Sequence, residues 1–243
     1  MNEVVSVRSN PQTARRPVVA FLLLGAVILS IGGFAYYKFA DNRSPPDTAS
    51  HLPILGEVGD FALIERDGRR VTLQTLRGRV WLADFIFASC AATCPFMTER
   101  MSVLSRELRS RGMDDVIYVS ISVDPDRDTP AALRFYANLY HASPTQWLFL
   151  TGDKQQMENI AMKSFKLGKP ELAPDEDQIL HSSRFFLVDQ ASRIRGSYMA
   201  LTEEEENDLM KVPRDRPMPE GEQTRLLSDV ASLLGLNRET TSP

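Results

Sequence analysis

Strand-like and helix-like segments alternate along most of this chain, and the alternation constrains its fold more than any other feature. Residues 80–87 are almost continuously apolar, as expected of a strand that is covered on both faces. A helix is predicted next, from Pro95 to about Arg111, with Gly112 as its end. Further strands are predicted at residues 116–123, 147–150, 185–188 and 194–198, and further helices at 130–140 and 154–165. This order predicts an α/β fold in which some neighbouring strands are parallel.

Shorter signals lie on both sides of this alternating region. Residues 61–73 predict an N-terminal hairpin, because the turn formers Asp67 and Gly68 separate two apolar stretches. The acidic run at 203–206 has the spacing of a capping box and predicts a helix start rather than a binding patch. Apolar positions further along predict an amphipathic final helix: 226, 227, 230, 233 and 234. We therefore place the folded domain at residues 60–200, followed by a helical tail at 201–243 that packs on the domain.

Residues 18–37 contain no charged side chain, and they predict a membrane anchor. A helix of 20 residues is about 30 Å long, which matches the hydrocarbon core of a bilayer. Arg8, Arg15 and Arg16 precede the run, so the positive-inside rule places residues 1–17 in the cytoplasm. A cleaved signal peptide is the alternative, but the apolar run is longer than such peptides need. The folded domain would then lie in a bacterial periplasm, or in the intermembrane space of a mitochondrion.

The part of the chain that follows the anchor is acidic. The whole chain has 28 Lys and Arg against 32 Asp and Glu. Because four of the basic residues but only one acidic residue precede residue 39, the remainder has a net charge of −7. This balance excludes a nucleic-acid partner. Residues 38–59 are polar and rich in turn formers, and they predict a linker between the anchor and the domain.

Cys90 and Cys94 are the only cysteines of the chain, and they lie between the strand at 80–87 and the predicted helix. The unpaired N–H groups and the positive dipole at the start of that helix favour an ionised thiol. Three residues separate the cysteines, one more than in Cys-x-x-Cys, so a helical turn would bring the sulfurs to one face. One metal ion or one disulfide can then bridge them. A purely structural disulfide would close too small a loop to stabilise the fold much.

The chain has three histidines, and His181 is the candidate metal ligand. It comes just before a predicted strand, whereas His51 lies in the linker and His141 lies at a predicted helix end, where the helix dipole accounts for it. A zinc site would need additional carboxylates. Two thiolates and one imidazole suit copper better, because Cu(I) accepts soft ligands at low coordination number.

Several motifs, in this order, resemble the SCO/SenC family over about residues 56 to 200. They are Gly59-Asp-Phe-Ala-Leu, Asp67-Gly68, Leu76-Arg-Gly-Arg-Val80, Cys90-x-x-x-Cys94-Pro95, Ile121-Ser-Val-Asp-Pro-Asp-Arg-Asp-Thr-Pro130, Leu150-Thr-Gly-Asp153 and His181-Ser-x-x-Phe-Phe-Leu-Val-Asp189. The resemblance implies a thioredoxin-like fold, with a mixed central sheet, flanking helices and an N-terminal hairpin, behind one membrane anchor. Asp124 and Asp128 belong to the fifth motif, where turn formation and helix capping are sufficient roles for them.

The same resemblance implies a function. It implies that copper, as Cu(I) or Cu(II), is held by Cys90, Cys94 and His181. It also implies delivery of that copper to the CuA centre during assembly of cytochrome c oxidase. The partner would be subunit II of the oxidase or another copper-accepting protein, and the location would be the inner membrane.

The chain departs from the family pattern near the cysteines. Ala91, Ala92 and Thr93 stand where the family commonly has Pro-Asp-Val, and Leu180 precedes the histidine in place of an aspartate. Asp84 lies within the apolar strand, at a position where thioredoxins have a buried aspartate. In apolar surroundings its pKa would be raised, and it could relay protons to a nearby thiol. A carboxylate at a sheet edge, or one paired with an arginine, is the structural alternative.

Asp84 therefore supports a second hypothesis, a thiol–disulfide oxidoreductase. In this hypothesis Cys90 attacks the partner disulfide, Cys94 resolves the mixed disulfide and Asp84 relays the proton. Thiol peroxidase activity is less well supported, because the motif provides no arginine beside the thiolate. A copper or redox sensor would bind copper without delivering it, and the sequence does not separate a donor from a sensor.

Overall fold

The computed structural model describes residues 51–167 and 182–236, and these residues form one mixed sheet of eight strands. The strands are β1 Gly56–Glu57, β2 Ala62–Glu65, β3 Arg70–Thr72, β4 Trp81–Ile86, β5 Ile117–Ser122, β6 Trp147–Thr151, β7 Arg184–Val188 and β8 Arg193–Met199. Their order across the sheet is β1-β8-β7-β4-β5-β6-β2-β3. The β4–β5 and β5–β6 pairs are parallel and the others are antiparallel. The predicted α/β fold with parallel pairs and an N-terminal hairpin, β2–β3, is confirmed.

Most of the helices lie close to their predicted positions, whereas the short helix at residues 73–76 was not predicted. They are α1 Leu73–Leu76, α2 Thr93–Ser110, α3 Pro130–Leu139, α4 Lys154–Asn159, α5 Glu203–Asn207 and α6 Glu220–Leu233, with a π-helical turn at Ile160–Ser164 and a 3-10 turn at Leu209–Lys211. Helix α2 begins two residues earlier than predicted, so that Cys94 lies inside its first turn. Helix α2 ends as predicted, since Gly112 has a φ of 75°. The capping box at Thr202 and Glu205 is formed, so the acidic run is a helix start.

Strand β4 lies in the middle of the sheet, and each of its six residues is buried. Leu82 and Ile86 face an apolar layer that includes the buried sides of α2, α3 and α6. Trp81, Ala83 and Phe85 face the opposite layer, where Phe85 packs edge-to-face on Phe165 with ring centroids 5.1 Å apart. Burial of each large side chain stabilises the fold by about 1.5 to 3 kcal/mol. The carboxyl end of β4, from which Cys90 follows, is therefore held on both faces.

The start of the domain differs from the sequence interpretation. Gly56 and Glu57, which the sequence placed in the linker, form the edge strand β1 against β8. The guanidinium of Arg195 donates to the carbonyl oxygens of Leu52 and Pro53, at 2.6 and 3.2 Å. These bonds fix the chain ahead of the strand. No local pattern predicts them, because they join residues more than 140 positions apart.

The predicted membrane anchor at 18–37 lies outside the described residues, as do residues 1–17 and most of the linker. Among the helices within 51–167 and 182–236, none combines the length and the hydropathy that a membrane span requires. The anchor therefore stays a prediction from the sequence.

Candidate metal centre

The two cysteines lie at the junction between β4 and α2, and both are free thiols. Cys90 is half-buried in the connecting loop, where its N–H donates to the carbonyl oxygen of Phe87 at 3.0 Å. Cys94 is the second residue of α2 and only 3% exposed. The loop thus presents one sulfur at the surface and one beneath it.

The first turn of α2 stabilises an anion at Cys90. No side chain caps this helix, and its N-cap residue is Ala92. The sulfur of Cys90 takes the place of a cap, because it accepts the N–H of Cys94 at 3.4 Å. The hydrogen bond from the Cys94 thiol, assisted by backbone N–H groups of the turn, lowers the pKa of Cys90 to about 5, although burial acts in the opposite direction. Cys90 is therefore a thiolate at neutral pH.

Cys94 has the opposite character. The hydrogen bond to Cys90 raises the pKa of Cys94, and burial raises it further. An ionised Asp84 also acts in this direction. The pair thus consists of one half-buried thiolate and one buried thiol that shares its proton with it. Such a pair can hold a soft metal ion once the second proton leaves, or it can close a disulfide.

Asp84 lies on the central strand β4, on the face that carries Leu82 and Ile86. It has no exposed surface, and neither carboxylate oxygen has a hydrogen-bond partner among residues 51–167 and 182–236. Burial raises its pKa to about 7, and the nearby Ser120 hydroxyl offsets only part of that rise. Both structural alternatives for Asp84 are wrong: it is not at a sheet edge, and no arginine of the described residues pairs with it.

Thr98, which was not among the predicted site residues, holds the first turn of α2. Its hydroxyl donates to the carbonyl oxygen of Cys94 at 2.9 Å and lies 2.6 Å from the hydroxyl of Tyr136 on α3. The spacing of four residues from Cys94 was the available signal, because a helical threonine often bonds back to that carbonyl. Thr98 thus ties the backbone of Cys94 to a neighbouring helix.

Asp128 also contacts the cysteine loop. Both of its carboxylate oxygens accept the N–H of Ala88 at 3.1 Å, and the hydroxyl of Ser122 donates to one of them at 2.6 Å. The helix-capping role considered for Asp128 is wrong, because Thr129 caps α3 by accepting the N–H of Ala132. The turn-forming role of Asp124 is confirmed, since its carbonyl accepts the N–H of Asp128 at 2.9 Å.

Two of the three histidines lie among the residues that the structure describes. His181 lies outside the described residues, so its proposed place as third ligand stays a prediction. His51 and His141 are exposed. Within 51–167 and 182–236 no three side chains of His, Cys, Asp or Glu are grouped so that they could hold a metal ion. The structure thus brings together the two-sulfur part of the predicted site.

A protein-family model and a relative from Bacillus subtilis both match this chain. The family model of SCO1/SenC matches residues 55–212. The SCO1 protein homolog of Bacillus subtilis is 40% identical over 161 residues, which are 65% of this chain and 81% of that protein. The matched region contains the hairpin, the cysteine loop and β8.

Solved structures agree with this match. BsSco, a member of the Sco family of cytochrome c oxidase assembly proteins in which a disulfide switch was identified, gives a TM-score of 0.60 at 34% identity, over 76% of this chain and 98% of BsSco. Bradyrhizobium japonicum ScoI with copper bound gives 0.50 at 28% identity, over 64% of this chain and 98% of ScoI. The predicted thioredoxin-like architecture of the mixed sheet and its helices is thereby confirmed.

Proposed function

Because this chain belongs to the SCO1/SenC family, we propose that it is a membrane-anchored metallochaperone that binds copper and delivers it to the CuA centre of cytochrome c oxidase during assembly. The observation that carries this proposal is the pair of free thiols at the β4–α2 junction, one of them ionised at neutral pH. Thiolates of this kind are ligands for Cu(I).

Two relatives support the proposal. Bradyrhizobium japonicum ScoI binds copper, and BsSco is grouped with cytochrome c oxidase assembly proteins. The cysteine pair of this chain lies within residues 55–212, which the SCO1/SenC family model matches. We take the third ligand to be His181, which the family motif places before β7.

Copper binding would proceed in steps set by the two thiols. The Cys90 thiolate meets the ion first, because it is the more exposed and the more ionised of the two. Cys94 then loses its proton as its sulfur joins, and a neutral imidazole completes the site. Release would occur by ligand exchange with the thiols and imidazoles of the acceptor, subunit II of the oxidase or another copper-accepting protein.

The location belongs to the same proposal. Residues 18–37 would anchor the chain in the inner membrane, with the N-terminus in the cytoplasm and the folded domain in the periplasm or, in a mitochondrion, the intermembrane space. A fusion of a reporter enzyme to the C-terminus, active only outside the cytoplasm, tests this orientation.

The proposal is tested by titrating the reduced full-length chain in detergent with Cu(I) in the presence of a chromophoric competitor. We expect one ion per chain for the wild type, and a large loss of affinity in Cys90→Ser, Cys94→Ser and His181→Ala. His141→Ala is the matched control, because His141 is exposed at the end of α3. A wild-type chain that retains no copper after desalting would refute copper binding.

Delivery needs a separate measurement. The copper-loaded chain is mixed with the purified, copper-free CuA domain of an oxidase, and formation of the CuA absorption bands is followed. Retention of copper by the chain would indicate a sensor rather than a donor.

A thiol–disulfide oxidoreductase is the second candidate, and the state of Asp84 favours it. A buried, unpartnered carboxyl with a pKa near 7 can exchange a proton close to Cys94 at neutral pH. This function predicts metal-free reduction of a disulfide substrate that is lost in Asp84→Asn and retained in His181→Ala. Asp126→Asn, on an exposed loop, is the control for a loss of charge.

A further inference from the structure

We propose that Asp128 is a positioning residue for Cys90, because its carboxylate fixes the loop that places the Cys90 sulfur over the first turn of α2. This inference rests on the proposed function, because that function gives Cys90 its chemical role. It concerns a residue on another strand connection, 38 positions along the chain from Cys90.

The contacts of Asp128 are directed at the cysteine loop. Ala88 is two residues before Cys90, and its N–H is shared by both oxygens of Asp128 at 3.1 Å. Beyond Ile86 the β4 strand has ended, so this N–H would otherwise lack a ladder partner. Asp128 thus takes the place of a strand at the point where the chain turns toward Cys90.

Asp128 is itself held rigidly from β5. The hydroxyl of Ser122 donates to its Oδ2 at 2.6 Å and accepts the N–H of Asp124 at 3.1 Å. The backbone N–H of Val123 donates to the carbonyl oxygen of Ile86 at 2.9 Å. The carboxyl ends of the parallel strands β4 and β5 are therefore joined twice, by this backbone hydrogen bond and by the Asp128 carboxylate.

The burial of Asp128 indicates that its hydrogen bonds do more than form a turn. Asp128 is 1% exposed, and burial raises the pKa of its carboxyl group. Burying a carboxylate costs free energy that a simple surface turn does not require. Asp126, two residues earlier in the same loop, is exposed and shows what such a turn tolerates. The start of α3 does not explain Asp128 either, since Thr129 is its cap.

The position of the Cys90 sulfur depends on how firmly the cysteine loop is held. The sulfur accepts the Cys94 N–H at 3.4 Å, so this bond depends on how closely the loop holds the sulfur to the start of α2. Among the backbone hydrogen bonds of the described residues, a single one holds the loop between Ala88 and α2. In it the N–H of Cys90 donates to the carbonyl oxygen of Phe87. Release of Ala88 would let the loop move away from the helix start, and the thiolate would lose the donors that stabilise it.

The test compares Asp128→Ala and Ser122→Ala with Asp126→Ala in the reduced, metal-free full-length chain. The rate of Cys90 alkylation by iodoacetamide is measured at pH 6 by mass spectrometry, together with the reduction potential of the Cys90–Cys94 pair. We expect alkylation to slow severalfold in Asp128→Ala, because the released loop no longer holds the Cys90 sulfur against the N–H donor of Cys94. Ser122→Ala should show a smaller decrease, and Asp126→Ala none.

Asp128→Asn serves if the alanine variant does not fold. It keeps one acceptor oxygen and should give an intermediate rate. Unchanged alkylation and potential in a folded Asp128 variant, with only a lower free energy of unfolding, would overturn the proposal and leave Asp128 as a structural residue. Copper retention by the wild type is scored separately, so a failure of copper binding does not obscure this result.

Discussion

The N–H of Cys94 points at the sulfur of Cys90 across 3.4 Å, so that the buried cysteine helps to ionise the half-buried one. The relationship is possible because α2 starts at Thr93 and has no side-chain cap. A cap residue at Ala92 would compete for the same N–H groups. The two thiols are therefore chemically unlike.

This asymmetry predicts an order of reaction. In the metal-free reduced chain, iodoacetamide should modify Cys90 first, with a rate that rises with pH through an inflection near 5, whereas Cys94 should resist until the protein unfolds. Peptide mapping after brief alkylation between pH 4 and 8 measures this. Preferential labelling of Cys94 would contradict the assignment, and Cys94→Ser reports the contribution of its thiol.

Asp84 predicts a pH-dependent cost to stability. Its folded pKa of about 7 lies above the unfolded value of 3.8, so the folded state binds the extra proton between these values. Stability should therefore fall as pH rises from about 4 to 7, and Asp84→Asn should remove that fall. The variant should exceed the wild type by on the order of a few kcal/mol at pH 8 and lose this advantage near pH 4. Urea unfolding at both pH values tests this prediction. An equal difference in the free energy of unfolding between variant and wild type at the two pH values would contradict it.

The ion pair between Arg100 and Glu205 predicts the opposite behaviour in acid. Arg100 has no exposed surface, and its guanidinium meets both carboxylate oxygens of Glu205, at 2.8 and 3.0 Å. This bonding lowers the pKa of Glu205 to about 2. The stabilisation should be complete above about pH 4.5 and disappear as pH falls through 2.

Glu205→Gln should cost about 2 kcal/mol at pH 7, because the buried guanidinium loses its counter-charge. The difference from the wild type should shrink toward pH 2. Glu204→Gln, on the exposed side of the same short helix, is the control and should change stability by less than about 0.5 kcal/mol. Thermal unfolding followed by circular dichroism across this pH range gives both values.

Copper loading and disulfide formation should exclude each other. Both use the same two sulfurs, and a disulfide offers no thiolate to a metal ion. The chain oxidised with diamide should bind no Cu(I), and reduction should restore binding. Conversely, the copper-loaded chain should react with diamide more slowly than the metal-free chain. Copper binding by the fully oxidised chain would show that the ligands lie elsewhere.

Much of the fold was predictable, because its signals are local. The almost continuously apolar segment that became β4 is set by burial on two faces. The periodic segment that became α2 is set by burial on one face. The capping box of α5 and the glycine at the end of α2 are equally local. The edge strand β1 was missed, because two residues pair with β8 only through a contact that spans most of the domain.

The sequence by itself determined that Cys90 and Cys94 lie between a buried strand and a helix, since residue type and spacing over a few positions are sufficient for that. Only the tertiary structure decided which thiol ionises, that Asp84 lies unpartnered on a central strand, and that Asp128 contacts the cysteine loop. The physical reason is that pKa values and hydrogen bonds depend on burial and on donors brought from distant strands and helices. The distances between these donors and the cysteine loop are fixed by packing and are not encoded in the spacing of neighbouring residues.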